Sequence, residues 1–378
     1  MSEFRLPGVM HFGWGAVEQV RGEAARLGKR ALLVSGRSAA RKTGLLDRVQ
    51  KLLAAAGVEA VLYDQVESDP SSATVDRGAR LAQQEKCDLV IGLGGGSPMD
   101  AARAIAAVAP TGVPILDHLR GKPIDRPGLP LINIATTAGT ASEITAVSVI
   151  LDEERQLKFG MKSPYWFAKV AITDPELTVT MSPRLTAATG LDALTHALES
   201  YLSTQASAPS EALALKSVAL AGANLRAAFR DGSSRTAREG MALASMTAGM
   251  AFANSGLGLV HGLVHPLGAR WNIAHGEACG RFLPYVMEFN RPAAEGKLVE
   301  VARALTGEPA ATAEDGIAAV RSLLSDLGLP CGISDLTISE KQMASLAKDG
   351  LLSGAVKTNP RPVTEADSRA ILETAHRG

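Results

Sequence analysis

The chain has 378 residues, more than one hydrophobic core usually contains, so two domains are expected. Apolar residues make up 46% of it, enough for large cores, and lysine plus arginine equals aspartate plus glutamate at 39 each. That balance argues against a nucleic-acid or polyanion partner.

The three cysteines, Cys87, Cys279 and Cys331, are widely spaced and form no Cys-x-x-Cys pair. They indicate no disulfide framework and fit a reducing cytoplasm. Cys279 follows His275 closely enough to be a metal ligand, although a small packed residue is the plainer interpretation. We see no signal peptide and no uninterrupted apolar stretch of the roughly 18 residues that span a bilayer. We therefore expect a cytoplasmic protein without a membrane partner.

Strand and helix signals alternate in the first half of the chain. Apolar runs and amphipathic stretches predict, in order, strand 31–35, helix 44–56, strand 60–64, helix 72–86, strand 88–93, helix 99–109 and strand 129–136. The run 88–93 is continuously apolar, as in a strand buried on both faces of a sheet. Residues 148–173 are mixed, with strands and a long loop. The alternation predicts an α/β fold with a mostly parallel sheet.

Strand signals end after Pro175. Period and composition then predict helices at 184–203, 208–230, 235–253, 257–270, 293–306, 312–327, 339–348 and 364–375. We place a domain boundary near Met181–Pro183. The first domain is then residues 1–181, and the second, residues 182–378, is an all-helical array.

A glycine-rich segment, GLGGGSPMDAARA (92–104), runs from the third predicted strand into a helix. Glycine lets backbone N–H groups approach a phosphate, and the helix N-terminus adds partial positive charge. Ser97 can cap that helix or bind a phosphate oxygen, and Asp100 can bind a ribose hydroxyl or position the loop. A plain tight turn is the alternative, because Ser97 replaces the third glycine of a Gly-x-Gly-x-x-Gly pattern.

A second loop, TTAGTASEIT (136–145), follows the next strand. The hydroxyls of Thr136, Thr137 and Thr140 suit a wall against a nicotinamide or a diphosphate. The segment also fits a helix start in which Thr140 and Glu143 form a capping box, and both interpretations can hold together.

The end of the first predicted strand bears on the choice between NAD and NADP. An acidic residue there would bind the adenosine ribose and repel a 2′-phosphate. The strand ends instead in Gly36, which leaves room, and Arg37 and Ser38 suit a phosphate. The pattern favours NADP(H). In the opposing interpretation Arg37, Arg41 and Lys42 are solvated charges at a helix start.

Asp192 and His196 stand four residues apart in LDALTHALESYL, so a helix places them on one face. His261 opens HGLVHPLGARWNIAHG, with His265 one turn later and His275 fourteen residues on. A carboxylate with several imidazoles is a common ligand set for Zn²⁺ or Fe²⁺. A hydrogen-bonded helix histidine would explain any one of them, but less readily the cluster, because a neutral imidazole in an apolar helix needs a partner.

Several segments resemble the iron-containing, metal-dependent (group III) alcohol dehydrogenases. They are GGGSPMD (94–100), TTAGTASE (136–143), DPELTVTMSPRLTAATGLDALTHALESYLS (174–203) and HGLVHPLGARWNIAHG (261–276). The likeness extends from FGWGAVEQV near the start to TNPRPV near the end. It implies an N-terminal Rossmann-like nucleotide domain, a C-terminal helical metal domain and an active site in the cleft between them.

The resemblance also implies residue roles. It implies a metal, Fe²⁺ or sometimes Zn²⁺, held by Asp192, His196, His261 and His275. It implies cofactor contacts from Gly94, Gly95, Ser97, Asp100, Thr136, Thr137, Thr140 and Lys162. Gly36 and Ser38 would favour NADP over NAD. His265 matches a histidine beside the substrate, and Phe252 matches a pocket-lining position.

The implied reaction is reversible hydride transfer between a small alcohol or aldehyde and NAD(P), with the metal as a Lewis acid. Its catalytic residues would be Asp192, His261 and His265, the last relaying the released proton. Val147 makes the pocket wall small and apolar. Arg270 either binds an anionic substrate tail or, as we favour, forms a salt bridge among the helices. The family favours homodimers and larger assemblies.

Other functions compete with this one. A relative of the same fold, such as a glycerol dehydrogenase or a lyase resembling dehydroquinate synthase, pairs a nucleotide with a metal in the same architecture. A lyase would need more basic residues for its substrate's phosphate than the motif region offers. A metal hydrolase leaves both loops unexplained, and a nucleotide-binding protein would not need Asp192 and three histidines.

Overall fold

The computed structural model describes residues 3–155, 157–271 and 273–378. Its contacts divide the chain into two units. The sheet unit comprises Arg5–Thr137 and Ala141–Thr180, and the helical unit comprises Met181–Gly378 with Ala138–Thr140 and Phe4. The division therefore falls one residue before the predicted boundary, and a three-residue loop packs with the helices.

Parallel strands form the main sheet of the sheet unit. They are β1 (Val9–Phe12), β2 (Arg30–Gly36), β3 (Glu59–Val66), β4 (Leu89–Gly94), β5 (Leu131–Ala135) and β8 (Val170–Thr173). Their order is β1-β8-β5-β4-β2-β3, and a separate antiparallel hairpin joins β6 (Val147–Asp152) to β7 (Leu157–Lys162). The predicted parallel sheet is confirmed. The sequence analysis missed β1, an edge strand of four residues with no fully buried side chain.

Helices cover the faces of this sheet, where two apolar cores lie. They are α1 (Val20–Leu27), α2 (Ala39–Lys42), α3 (Leu45–Ala55), α4 (Ser72–Gln84), α5 (Gly96–Val108) and α6 (Ile115–Leu119), with 3-10 turns at Ala16–Gln19, Pro164–Trp166 and Pro175–Thr178. Every residue of β4 is buried, as its continuous apolar run predicts.

The helical unit contains one continuous apolar core. Its helices are α7 (Pro183–Leu202), α8 (Ala208–Arg230), α9 (Arg235–Ser255), α10 (Leu259–Trp271), α11 (His275–Thr306), α12 (Ala313–Asp326), α13 (Glu340–Gly350) and α14 (Glu365–Arg377), with a 3-10 turn at Gly354–Thr358. The predicted all-helical architecture is confirmed.

The first half of α11 was not predicted, because the sequence analysis began this helix at residue 293. Pro284 and Pro292 lie within it, and proline in a helix interior removes a hydrogen bond and disfavours the helix. The structure keeps the helix across Pro284 and departs from helical backbone only at Ala294. Burial of Phe282 and Leu283 in the core outweighs the local penalty.

Of the described helices, α8 has the length and hydropathy of a membrane span, and α9 with α10 would qualify together across a 107° bend. Several α8 side chains, including Val218 and Leu225, are fully buried in the core of the helical unit. Of the apolar window of α8, 33% is buried.

Glycines on α11 let this helix approach α7 closely. A Cβ at Gly276 would lie 2.0 Å from the carbonyl oxygen of Ala188, and one at Gly280 would lie 2.6 Å from a methyl group of Leu191. Both distances are far inside van der Waals contact. The start of α11, which carries His275, is therefore held against α7 by residues without side chains.

We predict that Gly276→Ala destabilises the helical unit by about 1–3 kcal/mol, because the new methyl group meets backbone that cannot rotate away. Gly296→Ala is the matched control. Gly296 lies in the same helix, and a Cβ there meets nothing within 4 Å, so alanine should stabilise by up to about 1 kcal/mol. Urea denaturation followed by circular dichroism compares the two variants. Equal midpoints would contradict the close approach.

Candidate metal and nucleotide sites

Helix α7 presents Asp192 and His196 from a buried position. The helix begins at Pro183, and the Ser182 hydroxyl accepts a hydrogen bond from the N–H of Leu185 at 3.2 Å. Serine as the N-cap with proline in the first helical position is a favoured helix start. Asp192 and His196 are one turn apart on one face, and both are buried.

Helices α10 and α11 bring two further imidazoles to Asp192. Its Oδ1 atom lies 3.7 Å from Nε2 of His196, 3.8 Å from Nε2 of His261 and 3.6 Å from Nε2 of His275. These separations are too long for hydrogen bonds. They suit ligands that each lie about 2.0–2.2 Å from one shared ion.

The Asp192 Oδ1 atom is buried and has no hydrogen-bond partner among the described residues. A buried carboxylate oxygen without a donor is costly. Burial by itself would raise the pKa of Asp192, whereas positive charge on the neighbouring imidazoles would hold it below its usual range. A divalent cation would satisfy this oxygen and the three nitrogens together, so the residues present fit a metal ion.

Hydrogen bonds on the far side of two imidazoles fix which nitrogen faces Asp192. His261 Nδ1 lies 2.5 Å from Glu199 Oε2, and His196 Nδ1 lies 3.3 Å from the carbonyl oxygen of Gly139. Both partners only accept hydrogen bonds, so each Nδ1 carries a proton and Nε2 is the nitrogen left to bind a metal ion. Burial lowers the pKa of His196 to about 4, which keeps this ring neutral at pH 7.

Glu199 is a site residue that the sequence analysis missed. Besides orienting His261, its Oε1 atom accepts a hydrogen bond from the N–H of Val260 at 2.6 Å, at the start of α10. A carboxylate at a helix N-terminus is favourable. The signal was its spacing, since Asp192, His196 and Glu199 recur on one face of α7.

His265 and Phe252 lie beside this cluster. The His265 side chain is exposed, and its ring stacks on that of His275 with centroids 5.5 Å apart. The half-buried Phe252 stacks on His196 at 4.4 Å. The structure also adds a donor, because one ligand atom each from Asp192, His261, His275 and Cys279 lies within 4.8 Å of the others.

The other two predicted pocket residues are placed differently. Arg270 forms an ion pair with Asp349 of α13, as in the interpretation that the sequence analysis favoured. Val147 begins β6 in the sheet unit, where it is half-buried and pairs with Lys162 of β7. The pocket roles of Val147 and Arg270 stay predictions.

The two predicted nucleotide loops lie side by side, because β4 and β5 are parallel neighbours. Gly94 ends β4 with φ of +149°, a conformation that side chains disfavour, and its carbonyl accepts from the N–H of Thr136 at 2.9 Å. A Cβ at Gly95 would lie 3.4 Å from Thr137. Thr137 Oγ1 is buried without a partner among the described residues. Open backbone at the start of α5 beside an unsatisfied hydroxyl fits a nucleotide diphosphate.

Ser97 does not cap α5, whereas Asp100 positions a loop, which is one of the two roles that the sequence analysis left open for it. Gly95 is the N-cap of α5 and makes no side-chain cap, while Ser97 Oγ accepts from the N–H of Asp69 at 3.3 Å. The Asp100 carboxylate accepts from the Ser142 hydroxyl at 2.6 Å and from the N–H of Val149 at 2.9 Å. Asp100 therefore positions the second loop and the hairpin, and its contact with ribose stays a prediction.

The predicted capping box of Thr140 and Glu143 is wrong. Residues 141–145 form turns rather than a helix, and Ala141 has φ of +48°. The buried Glu143 instead accepts a hydrogen bond from the Thr173 hydroxyl at 3.0 Å. Burial raises its pKa to about 7. Thr140 belongs with the helical unit, so its cofactor role stays a prediction.

The end of β2 is open where cofactor choice is expected to be decided. A Cβ at Gly36 would meet only ordinary contacts, at 3.6 Å from Pro98 and 3.7 Å from Val66. Ser38 occupies the N-cap position of α2 without making a cap hydrogen bond. Arg37 is largely exposed and lies 3.9 Å from Glu67. The backbone at Gly36 therefore tolerates a side chain, and phosphate binding there stays a prediction.

Comparison with known proteins agrees with these features. Residues 7–175 match the family model described as iron-containing alcohol dehydrogenase, and residues 186–376 match that of the Fe-containing alcohol dehydrogenase family, C-terminal. The chain is 38% identical to long-chain-alcohol dehydrogenase 1 of Geobacillus thermodenitrificans, covering 100% of this chain and 98% of that one. It is 34% identical to the NAD-dependent methanol dehydrogenase of Bacillus methanolicus, covering 99% and 100%.

A solved structure extends this likeness to the fold. The crystal structure of a 1,3-propanediol oxidoreductase superposes with a TM-score of 0.95 at 37% identity, over 99% of this chain and 100% of that chain. Sequence, fold and clustered metal donors agree over nearly the full length. The chain belongs to the iron-containing alcohol dehydrogenase family and is a metal-dependent oxidoreductase of alcohols and aldehydes.

Proposed function

We propose that Asp192, His196, His261 and His275 hold one divalent metal ion, with which the chain interconverts small alcohols and aldehydes using NADP(H) in preference to NAD(H). The observation that carries the metal assignment is the buried Asp192 Oδ1 atom, which faces three imidazole nitrogens and has no donor among the described residues. The family name favours Fe²⁺, and the same donors also suit Zn²⁺.

When bound, the metal ion supplies a Lewis acid for the substrate oxygen and the nicotinamide supplies or accepts hydride. The chain's own residues prepare this chemistry. Asp192 provides negative charge against the cation, and Glu199 keeps the Nε2 lone pair of His261 available. Phe252 covers one face of His196. His265, at the exposed edge, exchanges the hydroxyl proton with solvent.

Unphosphorylated alcohols are the substrate class we infer. The relatives are named for long-chain alcohols, methanol and 1,3-propanediol. Arg270, the one basic residue that the motif region offered for an anionic group, is paired with Asp349. Phe252 and Val147 would give the pocket apolar walls. A phosphate-eliminating lyase has no support in these features.

The preference for NADP(H) follows from the end of β2. Gly36 carries no carboxylate that would bind the ribose 2′-hydroxyl or repel a 2′-phosphate. The neighbouring Arg37 is largely exposed and can reach a phosphate. Arg41 supports the opposing interpretation, because it is paired with Asp64.

Metal removal tests the proposed function directly. Chelator-treated protein should lose aldehyde reduction, followed by the absorbance of NADPH, and should regain it with Fe²⁺ or Zn²⁺. An aldehyde panel assayed with NADPH and NADH then reports substrate class and cofactor. Asp192→Asn, which keeps the side-chain size, should lose at least about tenfold in metal affinity. Full activity in the stripped protein would refute the metal role.

We predict that His265→Gln lowers turnover by at least about tenfold, because the proton loses its path to solvent, while bound metal is unchanged. The pH profile of kcat should also differ from that of the unaltered protein. The control is His118→Gln, which removes a half-buried histidine of α6 in the sheet unit. Loss of metal from His265→Gln would show instead that His265 is a ligand.

We predict that Gly36→Asp lowers kcat/KM for NADPH by at least about tenfold, equivalent to about 1.4 kcal/mol, and improves use of NADH. The added Cβ meets only ordinary contacts, so folding should be preserved. Gly22→Asp places the same charge on α1, where a Cβ meets nothing within 4 Å. It should leave the preference unchanged. An unaltered NADPH to NADH ratio in Gly36→Asp would contradict the assignment.

A further inference from the structure

Cys279 faces the same nitrogen atoms as Asp192. Its Sγ atom lies 3.7 Å from His275 Nε2 and 4.0 Å from His261 Nε2. The side chain is fully buried in the helical unit. Because α11 places it one turn after His275, the two residues share a helix face. Sulfur and carboxylate oxygen thus converge on one pair of imidazoles.

These distances match those expected between ligands of one ion. A metal about 2.3 Å from sulfur and about 2.0–2.1 Å from nitrogen, at a tetrahedral angle, leaves the two ligand atoms about 3.6 Å apart, and wider angles lengthen this separation. Asp192, His261, His275 and Cys279 form a compact donor group, and His196 lies outside it although it approaches Asp192. The unsatisfied Asp192 Oδ1 atom points into this group.

A neutral thiol fits the site poorly once an ion is present. The proton on His261 Nδ1 is committed to Glu199, so the Nε2 lone pair is what Cys279 meets. An ion bound by His261 Nε2 and His275 Nε2 would leave the sulfur without these two neighbours as hydrogen-bond partners. The sulfur would then meet the ion itself, which lies on the same side of both rings.

We propose that Cys279 Sγ is a direct ligand of the metal ion and biases the site toward Zn²⁺ and away from Fe²⁺. The inference rests on the proposed function, because it assumes an ion beside Asp192. Thiolate is a soft ligand that favours Zn²⁺, whereas carboxylate and imidazole alone discriminate less between the two ions. The sulfur would therefore set which metal this chain retains.

Cobalt loading tests the sulfur ligand without measuring activity. Metal-free protein titrated with Co²⁺ should develop visible ligand-field bands and, in addition, a near-ultraviolet sulfur-to-cobalt charge-transfer band. Cys279→Ser and Cys279→Ala should lose the charge-transfer band and keep the visible bands, because Asp192 and the imidazoles remain. Cys331→Ser, at a cysteine elsewhere in the helical unit, should keep both.

The outcomes separate this inference from the metal site itself. Visible bands without a charge-transfer band in the unaltered protein, or a charge-transfer band that survives in Cys279→Ala, would overturn the sulfur ligand alone. Absence of any Co²⁺ spectrum would overturn the metal site and the inference with it. In competition against a chelator, Cys279→Ser should weaken Zn²⁺ binding by at least about tenfold and Fe²⁺ binding by less. Equal losses would refute the bias.

Discussion

One buried carboxylate constrains the helical unit. Asp192 is only 3% exposed, so water cannot solvate its charge, and its Oδ1 atom receives no hydrogen bond from the described residues. Three imidazole nitrogens nevertheless stand 3.6 to 3.8 Å away. Nitrogen and carboxylate lone pairs that face each other repel unless a proton or a metal cation lies between them. The fold therefore holds its donors in the arrangement that an ion requires, at a cost to the metal-free protein.

Helix α7 shows how the other buried polar groups are satisfied. Thr195 and Ser200 donate hydrogen bonds to carbonyl oxygens of their own helix, those of Leu191 and Ala197. A carboxylate has no proton to donate to a carbonyl oxygen, so Glu199 reaches α10, where it meets both a helix N-terminus and an imidazole. Asp192, His196 and Glu199 are thus the buried polar groups of α7 that face the candidate site.

Local pattern predicted the parallel sheet, the helical unit and the recurrence of Asp192 with the histidines, because each depends on residues close in sequence. Local pattern missed features that depend on contacts between residues far apart in the sequence. Pro284 argues against a helix, yet core burial keeps α11 regular there. Glu199 belongs to no recognised motif, and it can orient His261 only because α10 packs beside α7. Asp100 was expected either to bind ribose or to position the loop, and only the structure shows that its carboxylate accepts from the Ser142 hydroxyl, 42 positions along the chain.

Gly139 illustrates why a motif residue needs its structural partner before its role is assigned. In TTAGTASE it reads as part of a nucleotide loop, yet the structure explains it by contact with α7. A Cβ there would lie 2.6 Å from the carbonyl oxygen of Thr189, so only glycine permits the approach. That approach brings the Gly139 carbonyl to His196 Nδ1, which fixes the proton on that nitrogen. Gly276, which follows α7 in the sequence, likewise permits a close approach of α11 to Ala188 of α7. The absence of side chains at these two positions, as much as the ligands themselves, determines where the imidazole nitrogens stand.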